Sequence, residues 1–147
     1  MDIAGSYRVE SVERYEDGAV RHPFGERPEG MLLYGSDGAM AAVVGAGGRP
    51  HVEMDLLSES GGASDADLAA AFRSAYGFAG TYEVDGDVVR HRIGVSTMPN
   101  WVGTEQVRPF VLRGDTLTLY PPGWRLVARR RVPVSAKGEG DLRNGEP

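Results

Sequence analysis

The chain has no cysteine and a single lysine. Without cysteine there is no disulfide, no thiol nucleophile and no thiolate metal site. The one lysine, Lys137, stands in a polar C-terminal stretch, which excludes Schiff-base chemistry from a core that leaves that stretch out. Long apolar runs are also missing: none approaches the roughly 20 residues needed to span a bilayer. The opening residues, Met1-Asp2-Ile3-Ala4-Gly5, carry neither the basic region nor the apolar stretch of a secretory leader. Together these absences lead us to expect a cytoplasmic protein without a membrane partner. A basic face is lacking too. The 16 basic residues stand against 21 acidic ones, a formal charge of −5. Nucleic-acid binders carry a basic patch or stripe, so no nucleic-acid partner is expected. Arg129-Arg130-Arg131 is a short basic cluster and reads as a solvated strand end.

What the chain does have is glycine, proline and short alternating segments. Its 147 residues suit one domain, with 41% apolar residues for a core and 21 glycines and 9 prolines for turns. The run from Gly80 to Tyr120 is the most informative. It holds two hairpin signals, Val84-Asp85-Gly86-Asp87 and Arg113-Gly114-Asp115, each flanked by alternating apolar and polar residues. Between them, Met98-Pro99-Asn100-Trp101-Val102-Gly103 is too apolar for an ordinary solvated loop.

Upstream, Gly5 to Tyr15 alternates, with Tyr7, Val9 and Ser11 on one face. Asp17-Gly18 is a turn, and Ala19 to His22 pairs back briefly. Gly30 to Tyr34 and Ala39 to Gly45 form a hairpin about Ser36-Asp37-Gly38. Gly45 to Gly62 has no clear period. Ser64 caps a helix with an acid at its third position, and Leu68, Ala71, Phe72, Ala75 and Tyr76 make a stripe at helical spacing, so the helix is expected over residues 65–77. Trp124 to Val132 is a last strand. The expected fold is all-β: a single up-and-down antiparallel barrel of 8–9 strands with one short inserted α-helix. The barrel domain covers 1–132, and 133–147 reads as a disordered tail. A barrel of that size holds side chains or one small ligand.

Several segments together resemble the bacterial lipocalin-like domain proteins. They are Gly5-Ser6-Tyr7-Arg8-Val9, Gly30-Met31-Leu32-Leu33-Tyr34 with Asp37-Gly38-Ala39-Met40, Tyr82-Glu83-Val84-Asp85, and above all Pro99-Asn100-Trp101-Val102-Gly103-Thr104-Glu105-Gln106-Val107-Arg108. The resemblance covers about residues 4–130 and implies a small calycin-type barrel. It implies little about chemistry. By fold analogy, some bacterial barrels of this shape look like cofactor-free cyclases or isomerases of polyketide and related pathways. Pro109, which cannot donate to a ladder, marks an edge, bulge or opening beside Arg108.

Strand faces single out the candidate site. Val89, His91, Ile93 and Val95 form an apolar face interrupted by His91, which points it inward and leaves Arg90 and Arg92 in solvent. On the next strand Gln106, Arg108, Phe110 and Leu112 share the inward face. His91 is a candidate acid or base, or else a core histidine bonded to a tyrosine or glutamine. Arg108 is a candidate holder of a carboxylate or enolate, or else the partner of a rim glutamate. Gln106 could donate to a ligand carbonyl or be a satisfied core amide. Tyr7, Tyr34 and Tyr82, with Phe110, Trp101 and Met40, are candidate ligand-binding residues; plain core packing is the alternative for the tyrosines. Met31 and Met54 could join Met40 in an adaptable wall. His51 and Glu53 lack a third ligand, so no metal and no cofactor are expected.

These readings lead to a cofactor-independent cyclase or isomerase acting on a hydrophobic, polyketide-type natural-product intermediate inside the barrel. His91, Arg108 and Gln106 would be its catalytic residues. The alternative is a non-catalytic carrier of a small hydrophobic ligand. A homodimer is left open.

Overall fold

Alternation with period two dominates the chain, and strands dominate the computed structural model, which describes residues 2–56 and 61–132. Nine strands follow in order: β1 (Gly5–Glu16), β2 (Ala19–Arg21), β3 (Glu29–Tyr34), β4 (Ala39–Gly45), β5 (Ala75–Asp85), β6 (Val88–Ser96), β7 (Glu105–Arg113), β8 (Thr116–Leu119) and β9 (Trp124–Arg130). One helix, α1 (Asp65–Arg73), lies between β4 and β5, and a short 3-10 turn, Pro99–Trp101, between β6 and β7. All pairings are antiparallel. The sheet runs β2-β1-β3-β4-β5-β6-β7-β8-β9 and closes where β1 pairs with β9, so eight strands make the barrel and β2 is an added flap on β1. The expected residues 133–147 tail lies outside the described residues. Among the described residues no helix is long and apolar enough to cross a membrane.

Local chemistry explains most connections. Gly86 opens the two-residue β5–β6 loop at φ 60°, a conformation that a two-residue hairpin turn demands and that glycine adopts without a Cβ clash. Ser64 caps α1 by accepting the Asp67 amide. The helix is shorter than its stripe suggests. It stops at Ser74, whose amide still bonds the Ala70 carbonyl, while Arg49 holds the Ala71 carbonyl and the Ser74 hydroxyl. Ala75 and Tyr76 then leave the helix to pair with Gly45 and Val44 of β4. Ladder pairing in the barrel overrides a weak helical preference.

Two bulges change which residues face inward. In β1 the register shifts between Val9 and Ser11, so Val12 is buried and Ser11 leaves the face of Tyr7 and Val9. Between β5 and β6 the register shifts at Ala79/Gly80, opposite the extra residue Gly94. The inward set Val89, His91, Ile93 therefore ends there, and Val95, expected inside, is 63% exposed. One extra residue moves everything beyond it to the other face. Gly80 sits at the crossing, where a Cβ would run into the Arg92 carbonyl. On the outer surface Arg90 and Arg92 both pair with Glu105, as solvent-facing charges on neighbouring strands do.

Candidate functional site

The two ends of the barrel are filled differently. At the end where β1 begins, Ile3, Tyr7, Val89, Phe110, Leu117 and Ala128 are buried together. Three tyrosines cross this end. The Tyr34 ring meets Tyr7 at 6.2 Å and Tyr82 at 4.9 Å, both edge-on. The Tyr7 hydroxyl donates to the Ile3 carbonyl and accepts from Arg130; the Tyr82 hydroxyl donates to the Gly35 carbonyl. The Tyr7 hydroxyl thus joins the segment before β1 to the end of β9, and the Tyr82 hydroxyl holds the β3–β4 turn. Tyr7, Tyr82 and Phe110 accordingly do not line the cavity described below, although all three were candidates for it.

Towards the other end lies a cavity of about 450 Å³. Leu32, Met40, Ala42, Phe78, Leu119 and Leu126 form much of its wall, and Val12, turned inward by the β1 bulge, joins them. Its mouth is framed by Phe24, the end of α1 (Phe72 and Arg73), Met98 and Trp101 of the β6–β7 connection, Pro121 of the β8–β9 turn and Trp124 at the start of β9. Aromatic contacts stiffen this rim. Trp101 meets Tyr76 at 5.5 Å and Phe78 at 5.7 Å, both edge-on. Phe24 meets Tyr76 at 5.6 Å. Of the candidate methionines only Met40 lines the space; Met54 is 47% exposed, and Met31 lies on the outward face of β3.

The polar lining is sparse and local. His91 and Gln106 face each other across the β6–β7 ladder, and Arg108 lies opposite Val89 one inward step further on. All three line the cavity. His91 is 2% exposed; its Nε2 shares a 2.8 Å hydrogen bond with the Tyr34 hydroxyl, and its Nδ1 is buried with no partner. Burial, helped by the charge of Arg108, lowers the His91 pKa to about 4, so the ring is neutral at pH 7. The same burial pushes the Tyr34 phenol far above its ordinary range and the Tyr76 phenol up to about 12. Arg108 is half-buried and its pKa is lowered by desolvation, against a stabilising pull from Tyr76 and Tyr34. It forms no ion pair with a described carboxylate, so the expected rim-glutamate partner is not found; its guanidinium donates only to the Val107 carbonyl at 3.3 Å.

The ladder explains why Arg108 is not sealed in. β7 pairs with β8 only from Phe110 to Arg113, so Glu105 to Pro109 run past the end of β8. Pro109, lacking an N–H, sits at that ladder end, and its carbonyl accepts from Tyr120. The proline thus stands where β7 becomes an edge on its β8 side.

Tyr76, Phe78, Phe72 and Trp124 line the cavity but were not singled out from the sequence as site residues. For two of them a signal existed. Tyr76, Phe78 and Tyr82 recur at even spacing, the mark of one strand face, but the helical stripe ending at Tyr76 masked it. Among the described residues no group of three metal-ligating side chains occurs.

Comparison with known proteins agrees with this architecture. The model of the lipocalin-like domain family matches residues 4–129. A crystal structure of a lipocalin-like protein from Bacteroides uniformis superposes with a TM-score of 0.53 at 15% identity, covering 89% of this chain and 100% of that one. An uncharacterized protein from Bacteroides eggerthii gives a TM-score of 0.48 at 15% identity, covering 88% of this chain and 100% of that one. No curated protein matches the chain by sequence.

Proposed function

Since the chain belongs to the lipocalin-like domain family, we propose that it takes up a hydrophobic small molecule inside the barrel. The observation that carries this reading is the cavity itself: about 450 Å³ of space walled by aliphatic and aromatic side chains, filled at one end and open at the other. Sites for small ligands have this composition, with a few polar groups to orient the guest. A solid core of the same chain would have no reason to leave such a space beside half-buried Arg108. Both tryptophans of the chain, Trp101 and Trp124, stand at the mouth. Titration with the neutral dye N-phenyl-1-naphthylamine should therefore quench tryptophan emission with a stoichiometry of one. Native mass spectrometry of the freshly purified protein checks for a co-purified guest. A saturable dye signal unchanged by Trp101→Ala, or no binding at all, would count against the cavity as the site.

A second reading is supported by the grouping of Tyr34, His91, Gln106 and Arg108 on the inner wall. Here the guest is the substrate of a cofactor-independent cyclisation or isomerisation, such as that of a polyketide-type intermediate. The cavity would hold one conformer, which alone can lower a barrier by several kcal/mol. Arg108 and Gln106 would stabilise negative charge developing on oxygen. His91, neutral at pH 7, would serve as a hydrogen-bond partner. An isomerisation or an additive ring closure leaves mass unchanged, and a condensing ring closure expels one water. The signature is therefore a new chromatographic peak at the substrate's mass or at that mass less water, lost in Arg108→Gln. A guest always recovered unaltered supports the carrier.

A further inference from the structure

Arg108 is a cation set on the inner wall of the barrel. Several outward arginines of the same sheet have carboxylate partners: Arg90 and Arg92 share Glu105, and Arg129 pairs with Glu10. The chain has 21 acidic residues, yet among the described ones none lines the cavity and none pairs with Arg108. An arginine that loses hydration without gaining an anion is a standing cost to the fold. Its neighbours do not relieve it. Gln106 is two residues away on the same inward face; His91 is neutral and committed through Nε2 to Tyr34. The Tyr76 hydroxyl, which lines the cavity, lies within the field of Arg108. Arg108, on the stretch of β7 that has no β8 partner, is half-buried rather than sealed in, which leaves its guanidinium partly hydrated.

We propose that the guest is an amphiphile with one acidic oxygen group, a carboxylate, enolate or phenolate. The group is held at Arg108 beside Gln106 and Tyr76, and the apolar body extends towards Trp101 and Trp124. This rests on the reading of the cavity as a small-molecule site and adds charge and direction to it. The placement follows from the ladder. Arg108 lies on the inner side of His91 and Gln106, nearer the tyrosine-filled end, whereas the rim is aromatic. A head-first entry puts the anion against the desolvated cation of the inner wall and leaves most of the apolar body against apolar surface. Arg73, the other cation that lines the cavity, stands at the mouth on the end of α1. A neutral or cationic amphiphile of the same shape would leave Arg108 desolvated further and still without an anion.

The test uses displacement of N-phenyl-1-naphthylamine by decanoate, decan-1-ol and decylamine, three guests of matched length. Decanoate should displace the dye at least about tenfold better than the alcohol, and the amine should be weakest. Within Arg108→Gln the acid's advantage over the alcohol should be abolished, the two guests being compared on the same variant. The same variant should melt at or above the parent temperature, because it removes an unpaired desolvated charge; a purely structural arginine would lower it. Equal displacement by acid and alcohol in the parent protein overturns the proposal and leaves the cavity reading intact. Failure of the dye and all three guests to bind removes both. Because the acid–alcohol comparison is made on the parent protein, it stands even if the variant does not fold.

Discussion

Tyr34 and His91, 57 residues apart in the chain, meet through a 2.8 Å hydrogen bond between the phenol oxygen and Nε2. The bond joins β3 to β6 across the barrel interior and separates the tyrosine-filled end from the cavity. It also shows what kind of histidine this is. A ring so buried, with one neutral partner and an arginine nearby, is held in its neutral form.

That state has a pH consequence. The His91 pKa is about 4 in the folded protein against 6.5 for an ordinary histidine. Between those values the unfolded chain binds the extra proton, so stability falls as pH drops from about 6.5 towards 4. The contribution is fully present above 6.5 and amounts to roughly 3 kcal/mol in total. Chemical denaturation at pH 7 and pH 4.5 should show a steeper loss in the parent protein than in His91→Gln. Parallel losses would mean that His91 is not desolvated.

The Tyr34–His91 bond predicts strong coupling. Tyr34→Phe leaves Nε2 without a partner in a site where Nδ1 already lacks one, and should cost about 1–3 kcal/mol. His91→Leu should cost a comparable amount, because it strands the Tyr34 hydroxyl. The double variant should be less destabilised than the sum by at least about 0.5 kcal/mol. Additive losses in urea denaturation would show that the bond contributes little.

Tyr7 and Tyr82 should separate stability from binding. Their hydroxyls bond main-chain carbonyls at the filled end. Tyr7→Phe and Tyr82→Phe should each lower stability by about 1 kcal/mol and leave dye affinity unchanged. Gln106→Ala, inside the cavity, should shift decanoate affinity with little change in melting temperature. A Tyr7→Phe variant with weakened dye binding would place the guest deeper than the described cavity.

Gly80→Ala should be among the more damaging single-methyl changes. The added Cβ meets the Arg92 carbonyl within the bulge, and a main-chain atom cannot step aside as a side chain can. We expect a loss of about 1–3 kcal/mol, read as a lower melting temperature. Unchanged melting would show that the β5–β6 register can relax at little cost.

Much of this barrel was legible in the chain because its signals are local. A hairpin turn such as Asp85-Gly86-Asp87 is specified by the conformations its own residues tolerate, and Ser64 caps its helix within three residues. Alternation placed His91, Gln106 and Arg108 on inward faces, since parity along a strand is a property of the strand alone. What lay beyond the sequence is non-local. Tyr76 joined β5 rather than α1 because Val44 was there to pair with it. Val95 turned outward because one extra residue entered the β6 side of a ladder. Tyr34 and Tyr82, both on inward faces, took different roles: one meets a histidine at the cavity's edge, and the other bonds the Gly35 carbonyl. The pattern of a strand states which face a side chain takes. Only closure of the barrel decides what stands opposite it, and therefore whether that side chain fills the core or borders a space.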